Sequence, residues 1–129
     1  MTRTMLRSKI HRIAVTERNV AYEGSVTLDA SLLAAAGALP YERVEVYDVT
    51  NGARFATYFI EGEAGSGVCC VNGAAAHLVD DGDLLILCTY GDFTDAEAHQ
   101  HRPQVVLISE GNKIKTIKAF EQHGVSVGS

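Results

Sequence analysis

Val44-Glu45-Val46-Tyr47-Asp48-Val49-Thr50-Asn51-Gly52-Ala53-Arg54-Phe55-Ala56-Thr57-Tyr58-Phe59-Ile60 carries the strongest folding signal in the chain. Val44, Val46 and Asp48 begin a strand. Asn51-Gly52 is the pair that most favours a two-residue hairpin turn, and Arg54 to Ile60 is the return strand. Alternation along that return strand puts Arg54 and Tyr58 on one face and Thr57 on the other.

Outward from the hairpin, short β-prone runs dominate. Residues 3 to 15 alternate loosely, with Ile10, Ile13 and Val15 among basic groups. This pattern suits one or two strands near a sheet edge, with Arg7, Lys9 and His11 on one face. Val20 to Leu28 is also β-prone and is interrupted by Gly24. Asp29 suits an N-cap, Ser31 to Ala36 a short helix, and Gly37 its left-handed end, with Pro40 beyond. Val68 to Val71 reads as a buried strand leading to Asn72-Gly73-Ala74-Ala75-Ala76, where Asn72 suits a helix cap. Asp80 to Gly82 suits a turn, Leu84 to Tyr90 a central strand, Thr94 to His101 a capped helical turn, and Val105 to Ile108 a further strand. Many short strands with little helix and no repeats indicate a mainly β chain, a small β-barrel.

At 129 residues and 47% hydrophobic, the chain fits one domain, 1–129, with a real core. A net charge of −5 argues against a general nucleic-acid binder. The basic start, Arg3, Arg7, Lys9 and Arg12, is open to reading as a nucleic-acid arm or a transit peptide, but strand-like sequence follows it with no small-residue cleavage pattern. No apolar run approaches the ~20 residues of a membrane span, so a cytoplasmic protein without a membrane partner is expected. Cys69, Cys70 and Cys88 are read as reduced core residues, because adjacent cysteines suit neither a disulfide framework nor a spaced redox motif. His99 and His101 lack a third ligand at useful spacing, so no metal is expected.

Gly24-Ser25 by itself reads as a turn or bulge, and Arg54 with Tyr58 as the solvated face of a hairpin. Taken together, however, Arg3-Thr4-Met5-Leu6, Lys9-Ile10-His11-Arg12, Tyr22-Glu23-Gly24-Ser25, Val49-Thr50-Asn51-Gly52, Arg54 with Thr57-Tyr58, and Val71-Asn72-Gly73-Ala74-Ala75-Ala76-His77 resemble the pyruvoyl-dependent aspartate 1-decarboxylases. The likeness covers residues 3 to about 90 in the family's order. One departure is Tyr47, where the family often carries a bulky indole.

That resemblance implies a six-stranded double-psi β-barrel with short helices. It also implies a homotetramer with active sites between subunits, and a proenzyme that cuts itself between Gly24 and Ser25 into pieces 1–24 and 25–129, with or without a maturation factor. Ser25 becomes the pyruvoyl cofactor, which takes the amine of L-aspartate as a Schiff base and replaces pyridoxal phosphate as electron sink. The product is β-alanine, for pantothenate synthesis. Thr57 and Asn72 support processing, Tyr58 donates a proton, and Lys9, Arg54, Thr57, Gly73, Ala74 and Ala75 bind substrate. His11 adds positive potential and Tyr22 forms a wall or proton relay. A competing reading is an uncut β-barrel interaction module. A third, thiol redox through Cys69-Cys70, lacks the usual spacer.

Overall fold

Alternating β-prone runs pair into nine strands in the computed structural model, which describes residues 1–124. The last five residues of the expected 25–129 piece lie outside the described residues. In chain order the elements are β1 (Thr2–Ala14), β2 (Glu17–Asn19), β3 (Ser25–Asp29), α1 (Ala30–Ala36), β4 (Arg43–Asp48), β5 (Arg54–Gly62), β6 (Cys69–Asn72), β7 (Leu84–Thr94), α2 (Asp95–Gln100), β8 (Gln104–Ser109) and β9 (Lys113–Lys118). The pairing order is β2-β6-β3-β5-β4-β7-β1-β8-β9. A mainly β architecture with short helices is as expected. The strand count is nine rather than six, and the pairings run from β2 to β9 without closing.

Several local expectations hold for identifiable reasons. Asp29 Oδ1 accepts from the Ser31 amide at 2.8 Å and caps α1, and Gly37 ends that helix with φ +67°. Thr94 and Glu97 form a reciprocal capping box on α2. The core lies between the inward faces of the strands, through Ile10, Ile13, Val26, Val46, Phe59 and Leu87. Emptying the Phe59 site with alanine costs about 3–5 kcal/mol.

Other expectations are corrected. β1 is interior, flanked by β7 and β8. Its pairing with β7 slips between Leu6 and Ser8 and again between His11 and Ile13. The first slip takes Arg7 out of register, where it donates to Gly37 O at 2.9 Å and pairs with Glu42, away from Lys9 and His11. The hairpin loop is longer than two residues. The Asp48 amide donates to Ala53 O, and the Asp48 carboxylate accepts from the Thr50 and Asn51 amides, which widens the turn to Val49–Gly52. Beyond Gly111, past the last strand read from the sequence, the chain adds β9, antiparallel to β8.

Val20 to Gly24 is not extended strand. Asn19 Oδ1 accepts from the Ala21 amide at 3.0 Å, and this Asx turn sends the chain through an exposed loop before β3 begins at Ser25.

Candidate active site

Ser25 is fully buried although Tyr22, Glu23 and Gly24 before it are exposed. Two strand registers account for its surroundings. In the antiparallel β3–β6 pair Ser25 stands opposite Asn72, and Thr27 stands opposite Cys70. These four side chains therefore share one face. Asn72 Nδ2 donates to Ser25 Oγ at 2.9 Å and to Thr27 Oγ1 at 3.0 Å, while the Cys70 thiol donates to Asn72 Oδ1 at 3.1 Å. The Ser25 hydroxyl in turn reaches Glu23 O at 3.4 Å.

Asn72 was expected to cap a helical turn. A 3-10 helix does follow, Gly73–Leu78, but Asn72 makes no side-chain cap bond to it. Its amide is committed to Ser25 and Thr27, two hydroxyls its own strand register brings opposite.

Gly73 has φ +72°, and a Cβ there would lie 2.6 Å from both N and Cα of Gly24 and 3.1 Å from the Glu23 carbonyl carbon. The Glu23–Gly24 segment thus packs on a bare backbone, a contact that only glycine allows. At Gly24 itself a Cβ would meet only Asn72 O, at 4.0 Å, and φ is not positive. The glycine whose missing Cβ shapes this corner is Gly73 rather than Gly24. Ala74 is exposed and Ala75 half-buried in the same helical turn.

The parallel β3–β5 register begins at Val26–Phe59. Continued back by one and two residues, it sets Ser25 level with Tyr58 and Gly24 level with Thr57. The β4–β5 register is unbroken from Arg43–Tyr58 to Tyr47–Arg54, so Thr57 faces opposite to Arg54 and Tyr58 without a bulge. Thr57 is half-buried, and among the described residues its hydroxyl bonds neither Gly24 nor Ser25.

Arg54 lies on the exposed face with its guanidinium carbon 4.0 Å from the Tyr47 ring centroid. Tyr47 Oη is 2.8 Å from Tyr90 Oη, and burial together with this bond raises the Tyr90 pKa. Tyr47, at the position where the family often has an indole, serves as the platform for Arg54. The Tyr58 ring stands 6.5 Å from Tyr41.

Lys9 and His11 stand on β1, three strands from Arg54 in the pairing order, and the charges of Lys9 and Arg54 both reach the Cys88 thiol, where they oppose the upward effect of burial on its pKa. His11 pairs with Ile86, Ile86 with Tyr47, and Tyr47 with Arg54. Three strand spacings of ~4.8 Å separate the backbones at the ends of that row by about 14 Å along the sheet, a gap that the long Lys9 and Arg54 side chains narrow. Lys9 forms a 2.7 Å ion pair with Glu121. Burial, then the charges of Lys9 and Arg12, lower the His11 pKa. His99 and His101 are engaged separately, with Asp95 O and Leu6 O, each at 2.7 Å.

Burial pushes the Cys69 thiol up to about 12, helped by Cys70, and the Cys70 thiol up to about 11, helped by Glu17 and Asp81. These are poor thiolates, so a redox role has no reactive sulfur to act through. Cys70 is more than a core residue, because its thiol bonds the Asn72 side chain. The signal was there in outline, since Cys70 and Asn72 are two apart on one strand and project to one side.

The profile of one family, aspartate decarboxylase, matches residues 1–115. The chain belongs to the aspartate decarboxylase family. Proteins named aspartate 1-decarboxylase from Bordetella pertussis and Moorella thermoacetica are each 51% identical to it. The first alignment covers 93% of this chain and 98% of the relative, the second 96% and 97%. A third, from Syntrophobacter fumaroxidans, is 56% identical over 88% of this chain and 91% of its own. For a decarboxylase of this family the implied prosthetic group is a pyruvoyl made from residue 25. The residues present fit it, since a buried serine stands there whose hydroxyl accepts from the neutral Asn72 amide and donates to Glu23 O.

Proposed function

We propose that this chain is a self-processing aspartate 1-decarboxylase that converts L-aspartate to β-alanine and carbon dioxide, in the cytoplasm, for pantothenate synthesis. The observation that carries the reading is the buried hydrogen bond from Asn72 Nδ2 to Ser25 Oγ, beside a Gly24 that packs on Gly73.

In maturation, Ser25 Oγ attacks the Gly24 carbonyl carbon and the amide C–N bond breaks, leaving an ester. Loss of the Ser25 Cα proton then breaks the Cβ–O bond and frees a carboxylate at Gly24. Hydrolysis of the resulting dehydroalanine releases ammonia and leaves the pyruvoyl end on residues 25–129. Asn72 can follow the charge as it develops on the carbonyl oxygen, and Thr57, level with Gly24, can do the same from the opposite face. One such donor is worth about 2.7–4 kcal/mol.

In the mature site the pyruvoyl group supplies the electron sink that pyridoxal phosphate supplies elsewhere. Arg54, steadied on Tyr47, binds a substrate carboxylate through its planar fork. Tyr58 Oη gives its proton to the substrate α carbon after carbon dioxide leaves. Gly73, Ala74 and Ala75 bring backbone N–H groups to the substrate, and Tyr22 walls the entrance. Lys9 and His11 add positive charge to the site. A homotetramer with active sites at subunit borders belongs to this reading, supported by membership of the aspartate decarboxylase family. The parallel pairs β1–β8 and β3–β5 support a double-psi arrangement of the barrel strands. A maturation factor is an additional protein partner of this reading; nucleic acid and membrane are not, and no helix among the described residues is long and apolar enough to cross a membrane.

Intact mass tests the reading. Purified protein is expected to give two pieces, 1–24 and 25–129, the larger reactive to a carbonyl label, and to form β-alanine from aspartate. Ser25→Ala is expected to stay whole and inactive. A parent that remains one full-length species after prolonged warm incubation overturns autonomous maturation.

A further inference from the structure

The tail beyond β9 lies over the Lys9 end of β1. β9 stops at Lys118, and Glu121, three residues on, pairs with Lys9 at 2.7 Å. The Lys9 side chain is only 18% exposed and that of Glu121 47% exposed. Among the described residues no backbone hydrogen bond ties 119–122 to the body of the protein. Beneath this strap, Phe120 and Glu121 roof a cavity of about 290 Å³ over His11, Val105 and Leu107. The Nδ1 atom of His11 is buried without a hydrogen-bond partner. The strap is therefore held at its far end by one carboxylate on one ammonium, above unfilled space and an unused polar atom.

We propose that Glu121 is an internal competitor for the anion position at Lys9, and that a free carboxylate, including that of the substrate, must displace it. The proposal rests on the reading of Lys9 as a substrate-binding residue. The chemistry is an exchange of like for like. Glu121 presents the group that a small dicarboxylate presents, and lifting the strap also opens the cavity and His11 Nδ1 to the incoming molecule. A half-exposed ion pair holds such a strap weakly, so the closed form taxes ligand binding without abolishing it. Glu121 would thereby set how much free acid is needed to fill the site.

The test compares the parent with Glu121→Gln and with a chain ending at Lys118. Two measurements are made. One is the KM and kcat for aspartate on fully cleaved protein. The other is calorimetric binding of succinate to the uncleaved Ser25→Ala form. Both changes are expected to lower KM about two- to five-fold with kcat unchanged, and to tighten succinate binding by the same factor, the range that ~0.4–1 kcal/mol of closure produces. The advantage should shrink as salt rises, because screening already weakens the strap in the parent. Unchanged KM and unchanged succinate affinity in both variants overturn the competitor. If neither parent nor variant turns over aspartate, yet succinate binds more tightly to both variants, the competitor stands and the proposed reaction falls.

Discussion

Asn72 Nδ2 stands 2.9 Å from Ser25 Oγ because the two residues face each other across β3 and β6. The same amide nitrogen reaches Thr27 Oγ1 at 3.0 Å, so one of its protons is committed at the residue whose peptide bond is to break and the other two residues further along β3. Asn72→Ala removes that donor and leaves the buried Ser25 hydroxyl and the half-buried Thr27 hydroxyl short of a partner. Cleavage is expected to slow about 10- to 100-fold, the equivalent of ~1–3 kcal/mol. Intact mass followed over time reads it, and a parent-like rate would take Asn72 out of the processing step.

The Cys70 thiol holds the other end of that amide. With Oδ1 accepting from sulfur at 3.1 Å, the nitrogen end is turned toward Ser25. Cys70→Ser keeps a donor at this place, whereas Cys70→Ala does not. The serine variant is expected to cleave at the parent rate and the alanine variant two- to ten-fold more slowly, as loss of one weak buried hydrogen bond implies, ~0.5–1.4 kcal/mol. A merely structural role would instead slow both, or neither, so the comparison of the two substitutions decides.

Gly73 is the support against which Glu23 and Gly24 pack, with positive φ and no room for a Cβ. Gly73→Ala has to move the Gly24 backbone and strain its own. Cleavage is expected to fall at least 10-fold, with stability reduced by ~1–3 kcal/mol. Gly24→Ala has open space and an ordinary φ, and is expected to leave stability within about 1 kcal/mol of the parent. Denaturant unfolding of both variants in the uncut Ser25→Ala background checks the contrast. Equal losses would show that the Gly73 contact is not what shapes the corner.

What could be read in the sequence followed from local rules. Asp29 with Gly37, and Thr94 with Glu97, act within a few residues of themselves, and capping chemistry found both helices. The Arg54–Tyr58 face followed from alternation in an unbroken strand. What escaped depends on contacts distant in sequence. No local pattern says that Asn72 looks across the sheet to Ser25 instead of along its own helical turn, or that Glu121 returns to Lys9. The bulge at Arg7 likewise hides in an alternation that looks regular, because Glu42 and Gly37 O, which draw Arg7 away, lie some thirty residues on. The role of Tyr47 was missed because cation–π stacking leaves no spacing signature.

Arg54 should separate binding from maturation, since its side chain lies on the exposed face and stacks on Tyr47. Arg54→Ala is expected to cleave normally and to lose about 10- to 100-fold in kcat/KM for aspartate, the worth of a charge-assisted carboxylate contact. Tyr47→Ala leaves the guanidinium without its platform and is expected to cost about two- to five-fold, while Tyr47→Phe keeps the ring and most of the activity. Steady-state kinetics on fully cleaved protein reads all three. Equal losses for the Phe and Ala variants would shift the weight from the ring to the Tyr47–Tyr90 hydroxyl contact.

Asp48 predicts how stability varies with pH. Asp48 and Asp83 are both buried. Asp48 Oδ1 accepts from the Thr50 and Asn51 amides at 2.8 and 3.1 Å, but Oδ2 has no partner donor. Burial, then the hydrogen bond with Asp83 and its charge, raise the Asp48 pKa. The folded chain therefore keeps this proton to higher pH than the unfolded chain does. The stabilising contribution is complete below the unfolded pKa of ~3.9 and is lost as pH rises through the raised folded value. Asp48→Asn retains the acceptor for the loop amides and offers an N–H toward Asp83 at every pH. In the Ser25→Ala background, this substitution is expected to raise Tm at pH 7 and to flatten the decline in stability from pH 4 to pH 7. A Tm below the parent's at neutral pH, with the slope unchanged, would mean that Asp48 ionises as readily in the folded chain as in the unfolded one.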